Sequence, residues 1–252
     1  MPHKNTSWGG VAGWYHEHLE KEGTYQKEVI LPHLLRIIEP KKGMKILDLA
    51  CGSGFFSREF AKRGAEVIGV DVAKHLIALA EQADSKNITY HVSSAHKLSF
   101  IPNESVDVIV VVLAIQNIED IGAVFSECAR VLTPKGSMHL VMNHPVFRAP
   151  KRTSWGWDES TKEQYRRIDS YMSESTVKIQ MHPGDNPDAI TISFHRPLQV
   201  YMKQLRKQGF AIRSIEEWIS HKKSEPGARA EAENKIRKEI PLFMYMEVIK
   251  VL

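Results

Sequence analysis

Cysteine is scarce in this sequence: of 252 residues only Cys51 and Cys128 carry a thiol. A disulfide framework and a cysteine-rich metal site are therefore excluded, and a reducing compartment, the cytoplasm, is expected. No apolar run approaches the ~18 residues needed to cross a bilayer. The N-terminal stretch "MPHKNTSWGGVAGWYHEHLEKEG" has neither an apolar core nor a small-residue cleavage pattern, so it does not read as a secretory signal. Charge of one sign is also in short supply. With 34 Lys and Arg against 30 Asp and Glu, the net charge of +4 is too small to imply a nucleic-acid partner. No acid and histidine cluster shows metal-ligand spacing, so no metal is expected. Internal repeats and low-complexity tracts are absent as well.

What is present is alternation. Apolar, β-branched runs at 45–50, 66–71, 88–93, 106–114 and 137–143 read as strands covered on both faces. Helical spacing separates them, through Ala73, Leu76, Ile77 and Ala80, and then Ile121, Val124, Phe125, Cys128 and Leu132. Strand, helix, strand in this order predicts parallel pairing with right-handed crossovers. The fold class is α/β: a doubly wound, mostly parallel seven-stranded sheet with an inserted cap after the fifth strand. Its last two strands are "FAIRSIEEW" and "FMYMEVIKVL". The expected organisation is an N-terminal helical segment over 1–44, a cofactor-binding core over 45–143, an inserted cap or substrate segment over 144–195, and a C-terminal part of the core over 196–252. That last part carries a helical insertion near 224–240. The insertion 144–195 is too long for an ordinary connection. It should contain a hairpin before "PLQVYMKQLRKQGF", a helix with Leu198, Tyr201, Met202 and Leu205 inward, and its Trp155, Trp157, Tyr165, Arg166, Arg167 and Tyr171 make it the place to seek substrate contacts.

The chemistry concentrates in "KILDLACGSGFFS". In a doubly wound sheet the ligand sits beyond the carboxyl ends of the strands, where the strand order reverses. Small residues Ala50, Gly52 and Gly54 let backbone approach such a ligand. Asp71 ends the second strand about twenty residues later, where an acid accepts hydrogen bonds from ribose hydroxyls. The plainer role for Asp71 is to cap the helix that follows. A dinucleotide cradle, G-x-G-x-x-G/A, is matched only as far as G-x-G, with Ser57 in the third place. Asp48, just upstream, would repel a pyrophosphate but suits a ligand bearing an ammonium and a sulfonium.

These residues resemble a known family. "LDLACGSGFFS", "VIGVDVAKHLIALA", "VVVLAIQNIED" and "RVLTPKG", in that order, are similar to the motifs of class I S-adenosylmethionine-dependent methyltransferases, of the type 11 domain group, with their Rossmann-like fold. Ala50 stands where that family's first glycine belongs. The resemblance implies that Asp48 and the backbone at Ala50, Gly52 and Gly54 face the methionine part of S-adenosylmethionine, or of its product S-adenosylhomocysteine. It implies Asp71 on the ribose, and Val72 and Leu76 against the adenine. Ser94 takes the place of an acid that usually holds the adenine amine, with Ala95 and His96 following. Leu113 and Ala114 would line the methionine end, Asn117 falls where many relatives carry histidine, and Tyr15 could cover the sulfonium.

The implied activity is methyl transfer to O or N of a small organic molecule, and the expected partner is that acceptor. An Asn/Asp-Pro-Pro-Tyr/Phe run, as used on base amines, is missing. His144, emerging directly after the fifth strand, is the first candidate for a general base and His195 the second. Two other readings stay open: an NAD-binding oxidoreductase, and a non-catalytic S-adenosylmethionine-binding protein. The accepting atom and the oligomeric state are not legible.

Overall fold

A computed structural model describes residues 21–83, 86–182 and 186–251, together with Gly13, Glu17 and Leu19. Five parallel strands form first: β1 (Lys45–Leu49), β2 (Glu66–Asp71), β3 (Ile88–Val92), β4 (Val106–Val112) and β5 (Leu132–Asn143). Two hairpins follow, β6 (Thr153–Asp158) with β7 (Glu163–Ile168), and β8 (Ser175–His182) with β9 (Asn186–His195). The last strands, β10 (Phe210–Trp218) and β11 (Phe243–Lys250), complete a seven-stranded sheet in the order β10-β11-β5-β4-β1-β2-β3. β11 runs antiparallel to both neighbours and the remaining pairs are parallel. The expected doubly wound, mostly parallel sheet is what forms.

Helices flank it, among them α1 (Leu31–Ile38), α2 (Phe55–Ala61), α3 (Lys74–Gln82), α4 (Ile121–Val131), α5 (Leu198–Lys207) and α6 (Ala230–Glu239). The period of two along a strand sends alternate side chains to opposite faces. Leu47 and Leu49 therefore join Phe125, Cys128, Tyr201 and Leu205 on the side of α4 and α5. Ile46 joins Leu34, Phe56, Phe60, Trp218 and Tyr245 on the side of α1 and α2. Burying each such leucine or phenylalanine contributes about 1.5–3 kcal/mol, so both faces hold the sheet together. By the same parity Asp48 points to the α2 side, which decides its partner.

Several expectations need correction. β5 begins at Leu132, not near 137, and runs through Pro134 and Gly136. Its register against β4 jumps from Val106↔Leu132 to Val108↔Ser137, so the extra residues are taken up as an irregularity beside Pro134, which cannot donate to a ladder. β3 is an edge strand and only half-covered, with Val92 exposed. In α5, Tyr201 and Leu205 are buried as expected, but Met202 is 43% exposed because it lies off their stripe. In the segment 144–195 the expected hairpin forms as β8–β9, and "TSWGWD" with "EQYRRI" forms a second one before it that the sequence did not reveal. No helix among the described residues is long and apolar enough to cross a membrane.

Candidate active site

The sheet order reverses between β1 and β4, and a cavity of about 190 Å³ opens beyond their carboxyl ends. Asp48, Ala50, Gly52, Asp71, Val72, Leu76, Ser94, Ala95, His96, Leu113, Ala114 and Asn117 all line it. The structure thus brings together, around one space, residues scattered over some seventy positions. Leu19, Cys51, Phe55 and Phe56 also contribute, and sequence reading missed them. The two phenylalanines looked like ordinary helix-core residues, since nothing in "GFFSREF" distinguishes a side chain over a cavity from one under a sheet.

The turn after β1 is strained where the motif departs from glycine. Ala50 has φ +60°, the left-handed region that costs an L-residue about 1–2 kcal/mol. Gly54, which starts α2, has φ +76°, and a methyl there would lie 2.2 Å from the Tyr90 hydroxyl. Gly54 does not line the cavity. It lets α2 begin against β3, and its place in the motif is explained by that packing.

Both acids are held by short local bonds. Asp71 accepts the Gly52 amide at 2.9 Å through one oxygen and the Ala73 amide at 2.8 Å through the other, joining the turn to the start of α3. Asp71 is not the N-cap of α3, which is Ala73 with no side-chain cap bond; it closes a local turn just before that helix, and a carboxylate with about four acceptor sites keeps capacity for ribose hydroxyls. Burial raises its pKa, against the pull of these amides. Asp48 is 1% exposed and accepts the Ser57 hydroxyl at 2.6 Å from the first turn of α2. Ser57, the residue that fails as the third glycine of a dinucleotide cradle, is thus the partner of the acid. Burial lifts Asp48 to a pKa of about 6, with the nearby Asp71 charge adding to the rise and the Ser57 bond opposing it. Cys51, between them, has its thiol pushed well up by burial and then by the Asp48 charge. Ser94 bonds His96 Nδ1 at 3.0 Å on the opposite wall.

His144 is not brought to this cavity. Its Nδ1 accepts the Val146 and Phe147 amides at 3.2 and 3.4 Å, so Nε2 carries the proton and donates to Glu217 at 2.7 Å. Burial holds its pKa low, with Glu217 opposing. A ring with both nitrogens engaged and 2% exposure has no lone pair left for a substrate proton. His195 is likewise buried, donating from Nε2 to the Tyr171 carbonyl at 2.8 Å. Tyr15 lies outside the described residues. Among those residues no group of three His, Cys, Asp or Glu is placed to hold a metal ion.

Comparison with known proteins agrees with this geometry. Residues 47–140 match the model of a methyltransferase domain. A ubiquinone biosynthesis O-methyltransferase from Rhodopseudomonas palustris is 32% identical over 98 residues, 38% of this chain and 39% of the relative. The match thus spans about two fifths of the length of that curated relative. A crystal structure of an S-adenosylmethionine-dependent methyltransferase from Mesorhizobium loti has a TM-score of 0.69 at 27% identity, covering 86% of this chain and 95% of that one. One from Aquifex aeolicus, at 14% identity and a TM-score of 0.59 over 94% of this chain and 98% of that one, shares the fold. In its matched region, residues 47–140, the chain is similar to methyltransferase domains, and its fold is that of the solved S-adenosylmethionine-dependent methyltransferases.

Proposed function

We propose that this protein binds S-adenosylmethionine in the 190 Å³ cavity and transfers its methyl group to an oxygen or nitrogen of a small organic molecule. The observation that carries the reading is the pair of buried acids, Asp48 and Asp71, at the carboxyl ends of adjacent strands. Asp48 repels a pyrophosphate and attracts an ammonium, which disfavours the NAD alternative, while Asp71 suits the ribose of either cofactor. Asp48 would hold the amino-acid end of the cofactor, and Asp71 the ribose. Val72, Leu76, Ala95 and His96 would enclose the adenine, and Leu113 would border the methionine end. When bound, the cofactor supplies an electrophilic methyl on a sulfonium.

The chain's own task is orientation and exclusion of water. Well-oriented pairs recover about 7–11 kcal/mol of a barrier. A general base adds about 3–5 kcal/mol, so transfer does not require one, and His144 serves this reading as an anchor of the chain leaving β5. Both cysteines are free and buried, in keeping with a cytoplasmic setting.

The test is isothermal titration with S-adenosylhomocysteine, beside an NAD control and Asp71→Ala. Micromolar binding that the substitution abolishes, with no response to NAD, supports the reading, and absence of binding removes it. Formation of S-adenosylhomocysteine during turnover separates an enzyme from a non-catalytic binder.

A further inference from the structure

One strand along the same sheet edge lies a second concavity, of about 20 Å³. Gln116 after β4, Asn143 and Pro145 at the end of β5, Arg148 in the next turn, and His195 and Arg196 after β9 border it. Arg196 is only 6% exposed. Its Nη2 donates to the carbonyls of Ile118 at 2.9 Å and Glu119 at 2.6 Å, while its Nη1 has no partner among the described residues. Gln116 is half-satisfied: its Nε2 donates to the Leu113 carbonyl at 2.7 Å, and its Oε1 is buried without a partner. Buried donors without acceptors are costly and rare, so an unpartnered guanidinium nitrogen on a side chain that borders a concavity asks for a ligand.

The charge in this corner meets the Phe194 ring, 5.1 Å from the Arg196 guanidinium, and the Tyr201 hydroxyl, but no carboxylate among the described residues. No carboxylate borders the concavity, and neither Arg148 nor Arg196 forms an ion pair among the described residues. Arg166, close enough for the Arg148 charge to lower its pKa, is occupied with the Phe147 carbonyl and the Trp155 ring. Burial depresses Arg148 as well, although its side chain reaches solvent. Glu174, the acid that acts on the neighbouring Tyr201 hydroxyl, sits exposed.

We propose that this corner holds the carboxylate of the methyl acceptor, with Arg196 Nη1 and the Arg148 guanidinium donating to its oxygens. The acceptor is then a carboxylate-bearing small molecule, an inference that rests on the methyltransferase reading above. Size agrees with it. A space of about 20 Å³ takes one water-sized atom, such as an oxygen of an end group, and not a whole substrate. The body of the acceptor then extends along the Leu113–Asn117 segment, whose other side borders the larger cavity. Planar guanidinium forks suit the planar carboxylate, and lysine in their place would not reproduce the geometry.

Acetate is the probe, being the end group alone. The chain saturated with S-adenosylhomocysteine is melted in about 100 mM sodium acetate, sodium chloride or acetamide, at one pH and one ionic strength. Acetate should raise Tm by about 2 °C or more over both controls. Arg148→Gln, which breaks no hydrogen bond, and Arg196→Lys, which keeps the charge, should each weaken acetate binding about tenfold. An acetate response equal to that of chloride or acetamide overturns the proposal, as does a response that survives both substitutions. Inorganic phosphate stabilising the chain where acetate does not also overturns it. Failure of S-adenosylhomocysteine to bind, with the acetate response intact, removes the methyltransferase reading and leaves the carboxylate site standing.

Discussion

Replacing Ala50 by glycine should stabilise this protein, although the change deletes a side chain. Ala50 is held at φ +60° between β1 and the turn that follows. The left-handed conformation costs alanine about 1–2 kcal/mol, which glycine does not incur. Against this, glycine gives the unfolded chain more freedom, worth about 0.4–1 kcal/mol. The net gain is therefore between about 0 and 1.6 kcal/mol, centred near about 0.8 kcal/mol. For a chain of this size each kilocalorie shifts Tm by about 2–4 °C. Urea unfolding of Ala50→Gly beside the parent chain measures it. The comparison is Ala80→Gly, at a fully buried position inside α3, where glycine loses helix propensity and packing and should cost about 1 kcal/mol or more. The two substitutions are the same chemistry with opposite expected signs. An Ala50→Gly chain no more stable than the parent would refute the claim that this turn is strained.

Other outcomes follow from the same geometry. Because burial raises Asp48 to about 6, its ionised form weighs against folding above that pH by about 3 kcal/mol at most. That contribution should be lost as pH rises from about 4 to 6, and Asp48→Asn should remove it, read as the difference between the two chains in pH-dependent unfolding. An ammonium beside Asp48 favours ionisation, so the affinity for S-adenosylhomocysteine should fall as pH drops below 6, which titration calorimetry at pH 5 and 7.5 checks. Gly54→Ala should destabilise by about 2 kcal/mol or more, with part of the loss recovered by Tyr90→Ala, since the contact is removed and the backbone cost stays. His144→Ala should cost about 1–3 kcal/mol by leaving Glu217 and two amides without their partner, while the S-adenosylhomocysteine affinity stays within a factor of two.

Much of the core was legible because its pattern is local. Helix spacing placed Leu76, Ile77 and Ala80 correctly, and the acid before a small-residue turn led to the cavity. The Ala50 substitution was visible too, although its strain needed a dihedral angle. What escaped depended on distant partners. His144 looked available because it follows a strand, but the residue that occupies it, Glu217, is on β10. The bonds of Arg196 to the Ile118 and Glu119 carbonyls bring together positions nearly eighty residues apart. The β6–β7 hairpin lacks an apolar alternation, since much of it faces solvent. β5 passes through Pro134 and Gly136 at the irregularity between Leu132 and Ser137, and the ladders with β4 and β11 resume beyond them.

The position of β11 bears on how the protein is made. β10 leaves the ribosome before it, yet its described sheet partner is β11 alone, and one edge of β5 waits for the same strand. Until Phe243–Lys250 arrives, β5 and β10 each present unpaired backbone, β5 from the apolar heart of the sheet and β10 from its rim. β10 carries Arg213, Glu216 and Glu217 among its apolar residues, charges that discourage edge-to-edge pairing with another chain. β5 has no such guard along its buried run Met138–Met142. The nascent chain is therefore most exposed to aggregation in the interval before its final strand is threaded between the two, and a ribosome stalled there leaves β5 as the sticky edge.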